Sequence, residues 1–323
     1  MKAIICSEFG PPEKLQLVDV DPPALGAGQV RIRVRACSAN FPDTLIIQGL
    51  YQIRAEPPFS PGSEVAGEVI ELADDVEDLS LGDRVIGLCG FGGFAEEVVV
   101  QRPHVLPMPV AMSFKEGASF VMTYGTSYHA LKQRAQLIEG ETVLVLGAAG
   151  GVGLTAVELA KTMGARVIAC ASSQEKLDLT ARYGAEGQIN YTEPGFKERI
   201  RELTGGKGVD VVYDPVGGDL FEQAFRAIAW GGRALVIGFV AGIPSLPLNL
   251  PLLKGSSVVG VFYGAFAAKQ PAENRCNNRE LLQLFSEGRL KPCLSEPYSL
   301  ADVPMVLRKL MDRQAVGKMV VEI

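Results

Sequence analysis

The chain has 323 residues, which at roughly 100–200 residues per domain suggests two domains. It is 47% hydrophobic and 21% charged, with 31 Lys and Arg against 37 Asp and Glu for a net charge of -6. That composition supplies a core, argues against disorder, and without a basic run argues against nucleic-acid binding or polybasic membrane attachment. Six cysteines (Cys6, Cys37, Cys89, Cys170, Cys276 and Cys293) form no C-x-x-C pair, which argues against a zinc ribbon or disulfide framework and fits a reduced, cytoplasmic protein. The two histidines, His104 and His129, are too few for a site of several imidazoles. The amino terminus is charged too early for a secretory segment, and no apolar run approaches the ~20 residues of a membrane span.

Up to about residue 110 the sequence reads as short strands broken by turns. Val30 to Ala36 alternates apolar residues with arginines, the pattern of a half-buried strand. Val65 to Leu72, Arg84 to Leu88 and Glu96 to Gln101 repeat it, as in a small barrel or sandwich. Ser113 with Glu116 forms a capping box opening a helix towards Phe120, and Thr126 to Gln133 reads as a second helix. Apolar strands then alternate with helices: Glu141 to Leu146, Leu154 to Met163, Arg166 to Cys170, Gln174 to Tyr183, Gln188 to Tyr191, Val209 to Tyr213, Phe221 to Ala229, Arg233 to Ile237 and Ser257 to Tyr263. Continuous apolar strands between helices predict a parallel sheet covered on both faces. The tail reads as helices at Glu280 to Ser286 and Leu300 to Met311 and a strand from Lys318 to Ile323.

Gly147-Ala148-Ala149-Gly150-Gly151-Val152-Gly153 directly follows a buried strand and opens a helix that returns to a strand at Arg166. A dinucleotide-binding loop needs that context: glycines let the backbone approach a pyrophosphate, and free N–H groups at the helix start stabilise its charge. Ala148 stands where the G-x-G-x-x-G pattern has its first glycine. At the end of the second strand, where an NAD site carries a carboxylate for the ribose 2′-hydroxyl, the sequence has Ser172, Ser173 and, one turn on, Lys176. Without that carboxylate a 2′-phosphate is not repelled, and these three side chains can bond it, so NADPH is the expected cofactor. Ser172 or Ser173 can equally cap the next helix, with Lys176 a solvated charge, and Glu175 is the dissenting residue.

Ala39-Asn40-Phe41-Pro42-Asp43, Pro61 to Val69, Gly82-Asp83-Arg84-Val85, Gly92 to Glu96, Thr126 to Leu131, the Gly147–Gly153 loop and Val316 to Val321 span nearly the whole chain. In that order they resemble the medium-chain dehydrogenase/reductase superfamily, and specifically its zinc-free quinone oxidoreductase (zeta-crystallin-like) branch. The resemblance implies an α/β architecture in which a Rossmann-type doubly wound parallel sheet, residues 123–268, is inserted in a β-rich GroES-like catalytic domain formed by residues 1–122 and 269–323. Zinc-dependent relatives carry a cysteine in the segment holding Asn40 and His-Glu where this chain has Ser63-Glu64, and no four-cysteine lobe follows Phe91. Asn40 and Ser63 are poor zinc ligands, so no metal is expected.

The implied reaction is hydride transfer from the nicotinamide to a quinone or small α,β-unsaturated carbonyl, with the protein positioning cofactor and acceptor and stabilising oxyanion charge. By motif match Asn40 and Thr126 lie near the nicotinamide ring and carboxamide, although Asn40 can instead satisfy a buried turn. Asp43 is either a polar wall of the pocket or a helix cap, and Tyr51 either lines the acceptor site or packs as an ordinary amphipathic residue. Tyr191 resembles the residue stacking near the adenosine phosphate. Gly238-Phe239-Val240 and Phe262-Tyr263 resemble the segments framing the nicotinamide, against a strand-end turn and core. Lys318 either closes over the cofactor or lies at the surface. Ser257 to Tyr263 resembles the edge strand through which such proteins pair into homodimers. The rivals are an enoyl-thioester reductase, with Arg54 and Arg102 as candidates for a basic rim, and a catalytically idle NADPH-binding protein.

Overall fold

In a computed structural model describing residues 1–52 and 54–323, the chain forms two compact units, Met1–Met122 with Pro292–Ile323, and Thr123–Lys291. The first unit contains β1 (Lys2–Ile5), β2 (Gln16–Asp19), β3 (Gln29–Ser38), helix α1 (Phe41–Ile46), β4 (Glu64–Leu72), β5 (Arg84–Leu88), β6 (Glu97–Gln101) and β7 (Val105–Pro107). Alternation in β3 does what the sequence implied: Val30, Ile32, Val34 and Ala36 are buried, and Arg35 turns outward to Glu68 at 2.8 Å. β3 is the hub of an antiparallel sheet, paired with β4 along most of its length and with β6 beside it. Ile32, Val34, Val65, Val85, Phe94 and Val98 form its core.

The Ser113 capping box is present, with Glu116 accepting from the Ser113 amide at 2.8 Å, but α2 (Phe114–Gly117) lasts only one turn. Helix α3 (Val121–His129) starts five residues earlier than the sequence reading and runs into a π-turn over Ala130–Arg134.

The second unit holds β8 (Thr142–Val145), α4 (Gly151–Thr162), β9 (Arg166–Ala171), α5 (Gln174–Arg182), β10 (Gly187–Asn190), α6 (Phe196–Leu203), β11 (Val209–Asp214), α7 (Gly218–Arg226), β12 (Ile228–Val236), α8 (Asn249–Lys254) and β13 (Ser257–Gly260). Its strands are all parallel in the order β10-β9-β8-β11-β12-β13. The order reverses between β8 and β11, the switch point at which a doubly wound sheet opens a crevice beyond its strand ends. Core strands such as Val143-Leu144-Val145 are buried throughout.

Two boundaries differ from the sequence reading. β13 ends at Gly260, and Tyr263 instead opens α9 (Tyr263–Lys269), its ring filling the space beside Gly125. Helix α10 (Pro271–Ser286) is more than twice as long as expected and clusters with the second unit, where the reading had assigned residues from 269 on to the first. Its anchors explain this. Leu281 is buried, the Tyr128 hydroxyl donates to Glu280 at 2.6 Å, and Gln133 donates to Asn277 at 3.0 Å.

The tail then returns to the first unit through β14 (Tyr298–Ser299), α11 (Val303–Met311) and β15 (Val320–Glu322). β15 runs antiparallel to the end of β3, with Val320 opposite Ser38 and Val321 opposite Cys37. Among the described residues no helix is long and apolar enough to cross a membrane.

Candidate active site

Each unit carries one cluster of candidate residues. In the first, Asn40 precedes α1, and its backbone N–H donates to the Asp43 carboxylate at 2.7 Å, the return half of a capping box. Asp43 is therefore a helix cap, and it is fully buried. The Asn40 side chain does not cap the helix. Its Oδ1 accepts from Lys318 Nζ at 2.7 Å, and its Nδ2 donates to Ser38 O and Ser63 Oγ, both at 3.4 Å. Lys318 Nζ also donates to Ala39 O at 3.1 Å, and the residue is only 6% exposed. Lys318 is thus not at the surface, the alternative the sequence had left open.

The register of β15 on β3 and a bond from the Ala39 amide to Met319 O at 3.0 Å carry Lys318 there. Gly317 turns the chain just before it at φ +63, where an added Cβ would lie 2.5 Å from Cys293 O.

Glu64, which the sequence reading passed over, completes the cluster. It is fully buried, accepting from the Met122 amide at 2.9 Å and from Ser38 Oγ at 3.4 Å. Its signal was available in the sequence: a glutamate within Ser63-Glu64-Val65-Ala66, at the buried head of β4, must find partners inside. Burial pushes the Glu64 carboxyl up to about 7 and the Asp43 carboxyl up to about 6, against the pull of Lys318 on both. Burial lowers Lys318, opposed by Glu64, Asp43 and Cys37. Tyr51 is half-buried, its hydroxyl raised by burial and by the Asp43 charge.

In the second unit the glycine loop has the geometry a pyrophosphate needs. Gly147 adopts φ +57, Ala148 is buried and donates its N–H to Cys170 O, and Gly150 precedes α4, which begins Gly151-Val152-Gly153. A Cβ on Gly153 would lie 2.2 Å from Gly147 O, so only glycine lets helix and loop approach this closely. A buried hydroxyl network fixes the helix start: Ser127 Oγ donates to Val152 O at 3.0 Å and lies 2.8 Å from Thr155 Oγ1 and 2.9 Å from the Tyr213 hydroxyl. Thr126, its neighbour on α3, is half-buried.

Beyond β9, Ser173 caps α5 by accepting from the Lys176 amide at 3.4 Å, and Lys176 Nζ lies 3.4 Å from Ser172 Oγ. The cap therefore coexists with two hydroxyls and an ammonium grouped beyond β9. Tyr191 follows β10, its amide bonded to Ala171 O at 3.1 Å. Gly238-Phe239-Val240 follows β12; the Gly238 amide donates to Asp214 O, and Phe239 is 43% exposed. Phe262 is exposed, whereas Tyr263 is buried. His129 is buried, stacked on Phe266 at 3.8 Å with Nδ1 3.2 Å from Gln133. Among the described residues no group of three or more His, Cys, Asp or Glu is placed to hold a metal ion.

Residues 26–110 match the alcohol dehydrogenase GroES-like domain family, and residues 151–282 match the zinc-binding dehydrogenase family. The chain is similar to a quinone oxidoreductase-like protein 2 homolog of Nematostella vectensis at 41% identity, over 99% of this chain and 88% of that protein. It is also similar to the crystal structure of an Escherichia coli quinone oxidoreductase complexed with NADPH, at 29% identity and TM-score 0.93 over all of both chains. The CurK enoyl reductase superposes at TM-score 0.90 and 28% identity, over 99% of this chain and 98% of that one.

The raised carboxyls give a stability prediction with a definite sign. A group whose folded pKa lies above its unfolded value contributes most below the unfolded pKa and loses that contribution as pH rises through the folded one. For Glu64 that window runs from about 4.5 to about 7. Glu64→Gln, whose carboxamide can accept from the Met122 amide and donate to the Ser38 hydroxyl, should therefore gain stability relative to the parent from pH 5 to about pH 7 and level off above it in denaturant unfolding. A difference that stays constant with pH contradicts the assignment.

Proposed function

The chain belongs to the quinone oxidoreductase branch of the medium-chain dehydrogenase/reductase superfamily, and from that membership we propose that its hydride acceptor is a quinone or a small α,β-unsaturated carbonyl. As a member of that family it is an NADPH-dependent oxidoreductase. The observation that carries the acceptor reading is full-length similarity, in sequence and in fold, to proteins named quinone oxidoreductases.

The second unit's residues fit the cofactor. Amides of Gly151, Val152 and Gly153 at the start of α4 would hold the pyrophosphate, where the helix dipole adds to their donors, while the Gly150 amide, donating to Gly147 O at 3.1 Å, shapes the turn before them. Ser172, Ser173 and Lys176 would hold the 2′-phosphate through two hydroxyls and an ammonium already grouped beyond β9. Gly147, Ala148, Tyr191, Gly238, Phe239, Val240, Phe262 and Tyr263 remain assigned to the dinucleotide by motif, as does Thr126. NADPH, when bound, supplies the hydride.

In the first unit Asn40 and Tyr51 are the polar groups assigned to the reacting end, with Asp43 fixing the Asn40 backbone as the cap of α1. An amide already anchored at Oδ1 and Nδ2 does not reorganise as charge develops, the condition under which a dipole stabilises a transition state. A second reading, reduction of an enoyl thioester, is favoured by the similarity to CurK enoyl reductase.

We also infer a homodimer. β13 ends its sheet, with β12 as its neighbour and Val258 45% exposed, and the Trp230 ring packs against Gly255 beside it while remaining 81% exposed. An apolar open edge of this kind is stabilised by pairing.

NADPH oxidation followed at 340 nm with 1,4-benzoquinone, an alkyl enone and crotonyl-CoA tests the acceptor. Quinone or enone turnover is expected; fast thioester turnover alone would establish the second reading, and NADPH binding without turnover would establish an idle binder. Lys176→Ala should raise KM for NADPH about tenfold, the loss of one charge-assisted bond, and leave KM for NADH unchanged. Equal effects on both cofactors contradict the 2′-phosphate assignment. Val258→Lys should convert a dimer to a monomer in light scattering coupled to gel filtration, and an unchanged mass contradicts pairing through this edge.

A further inference from the structure

Among the described residues Lys318 is the one buried lysine whose ammonium touches a residue assigned to the reaction, yet the burial that surrounds it leaves no place for it as a surface clamp on a dinucleotide. Its two hydrogen bonds are chemically one-sided. An ammonium only donates, so the atom of Asn40 lying 2.7 Å away must be the carbonyl oxygen. The amide nitrogen is then turned to Ser38 O and Ser63 Oγ, which it reaches as a donor. Remove the ammonium and nothing on that side distinguishes Oδ1 from Nδ2, so both orientations of the carboxamide become accessible.

The backbone around Asn40 depends on the same group. Lys318 holds Ala39 O, the Ala39 amide holds Met319 O, and the Asn40 amide is held by Asp43. The charge is balanced locally, because Asp43 and Glu64 are both buried and both act on Lys318, with the Cys37 thiol the remaining titratable neighbour.

We propose that Lys318 is a positioning residue for the reductase reaction: its buried ammonium locks the Asn40 carboxamide with Oδ1 towards the cation and Nδ2 towards Ser63, so that the Ala39–Asp43 segment presents one fixed geometry. The inference rests on the reductase reading for its kinetic consequence. It goes beyond that reading in making Lys318, which the sequence left open between the cofactor and the surface, a residue that acts through Asn40.

A double-mutant cycle with a spectroscopic companion tests it. Lys318→Met should lower kcat/KM for the acceptor by about 100-fold, the scale of a 1 Å misplacement, while the Kd for NADPH by fluorescence titration stays within about twofold. In an Asn40→Ala background the same substitution should change kcat/KM by no more than about twofold, the limit within which independent sites add. An undiminished loss in that background overturns the proposal, and so does a rise in the Kd for NADPH that accounts for the whole effect.

The companion readout needs no turnover. The Asn40 side-chain N–H signals in nitrogen-15 NMR should exchange with water at least about tenfold faster in Lys318→Met than in the parent, as expected when a protecting contact opens. Unchanged protection overturns the proposal even if every acceptor is reduced. Conversely, a parent enzyme that reduces no acceptor sinks the reductase reading while this signal still decides the role of Lys318. Should Lys318→Met not fold, Lys318→Met with Glu64→Gln restores the charge balance and carries the same comparisons against Glu64→Gln alone.

Discussion

An ammonium withdrawn from water is destabilising by several kcal/mol unless charges and acceptors replace its hydration. Much of the first unit is arranged around meeting that condition for Lys318. Its acceptors come from the segment leaving β3, its counter-charges from the head of β4 and from the first turn of α1, and its own position from a tail more than 270 residues away in sequence. The tail is therefore held by more than apolar contact. Three constraints converge on Lys318: the pairing of β15 with the end of β3, the bond from Ala39 to Met319, and a glycine turn at Gly317 that no side chain would fit. Because Asn40 is fixed at its backbone by Asp43 and at its side chain by Lys318, the segment proposed to face the reaction inherits its order from an ion cluster. The same residues, Asn40 and Ser63, stand where zinc-dependent relatives are expected to carry cysteine and histidine.

The second unit solves a different problem, that of exposing backbone donors at the end of a buried strand. Gly147 and Gly153 provide it by close approach, and the hydroxyls of Ser127, Thr155 and Tyr213 tie down the first turn of α4 from the inside. A loop held at both ends in this way has little ordering entropy left to lose on meeting a phosphate. The residues proposed to read the 2′-phosphate lie one strand away, where Ser173 caps α5 at the Lys176 amide and Lys176 Nζ lies 3.4 Å from Ser172 Oγ.

Much of this was legible in the sequence. The central strands β8 and β9 of the parallel sheet were visible because each is an almost unbroken apolar run, and the glycine loop because it sits between such a run and a helix. The alternation in Val30 to Ala36 correctly marked one face of β3. Short elements were not legible: α2 keeps its capping box but loses its second turn to the chain's path into α3, and the strand expected through Tyr263 stops at Gly260 so that the Tyr263 ring can enter the core beside Gly125. Periodicity reports burial of a face and is silent on which neighbour buries it, which is why the attachment of α10 to the second unit had to come from Tyr128, Gln133, Asn277 and Glu280.

The candidate site shows the same division. Asn40, Asp43 and the loop glycines could be named from motifs, whereas Glu64 and the true setting of Lys318 depend on contacts between segments distant in sequence. A lysine two residues before a terminal strand reads equally as a cofactor contact or a solvated charge until the register of that strand is known. The most direct measurement of the cluster is a carbon-13 NMR titration of the Glu64 carboxyl in the intact protein. The structure predicts a midpoint raised to about 7, moving higher still when Lys318 is replaced by methionine, since the cation favours the carboxylate. A midpoint near the ordinary 4.5, unmoved by that replacement, would contradict the buried ion cluster on which the arrangement of Asn40 depends.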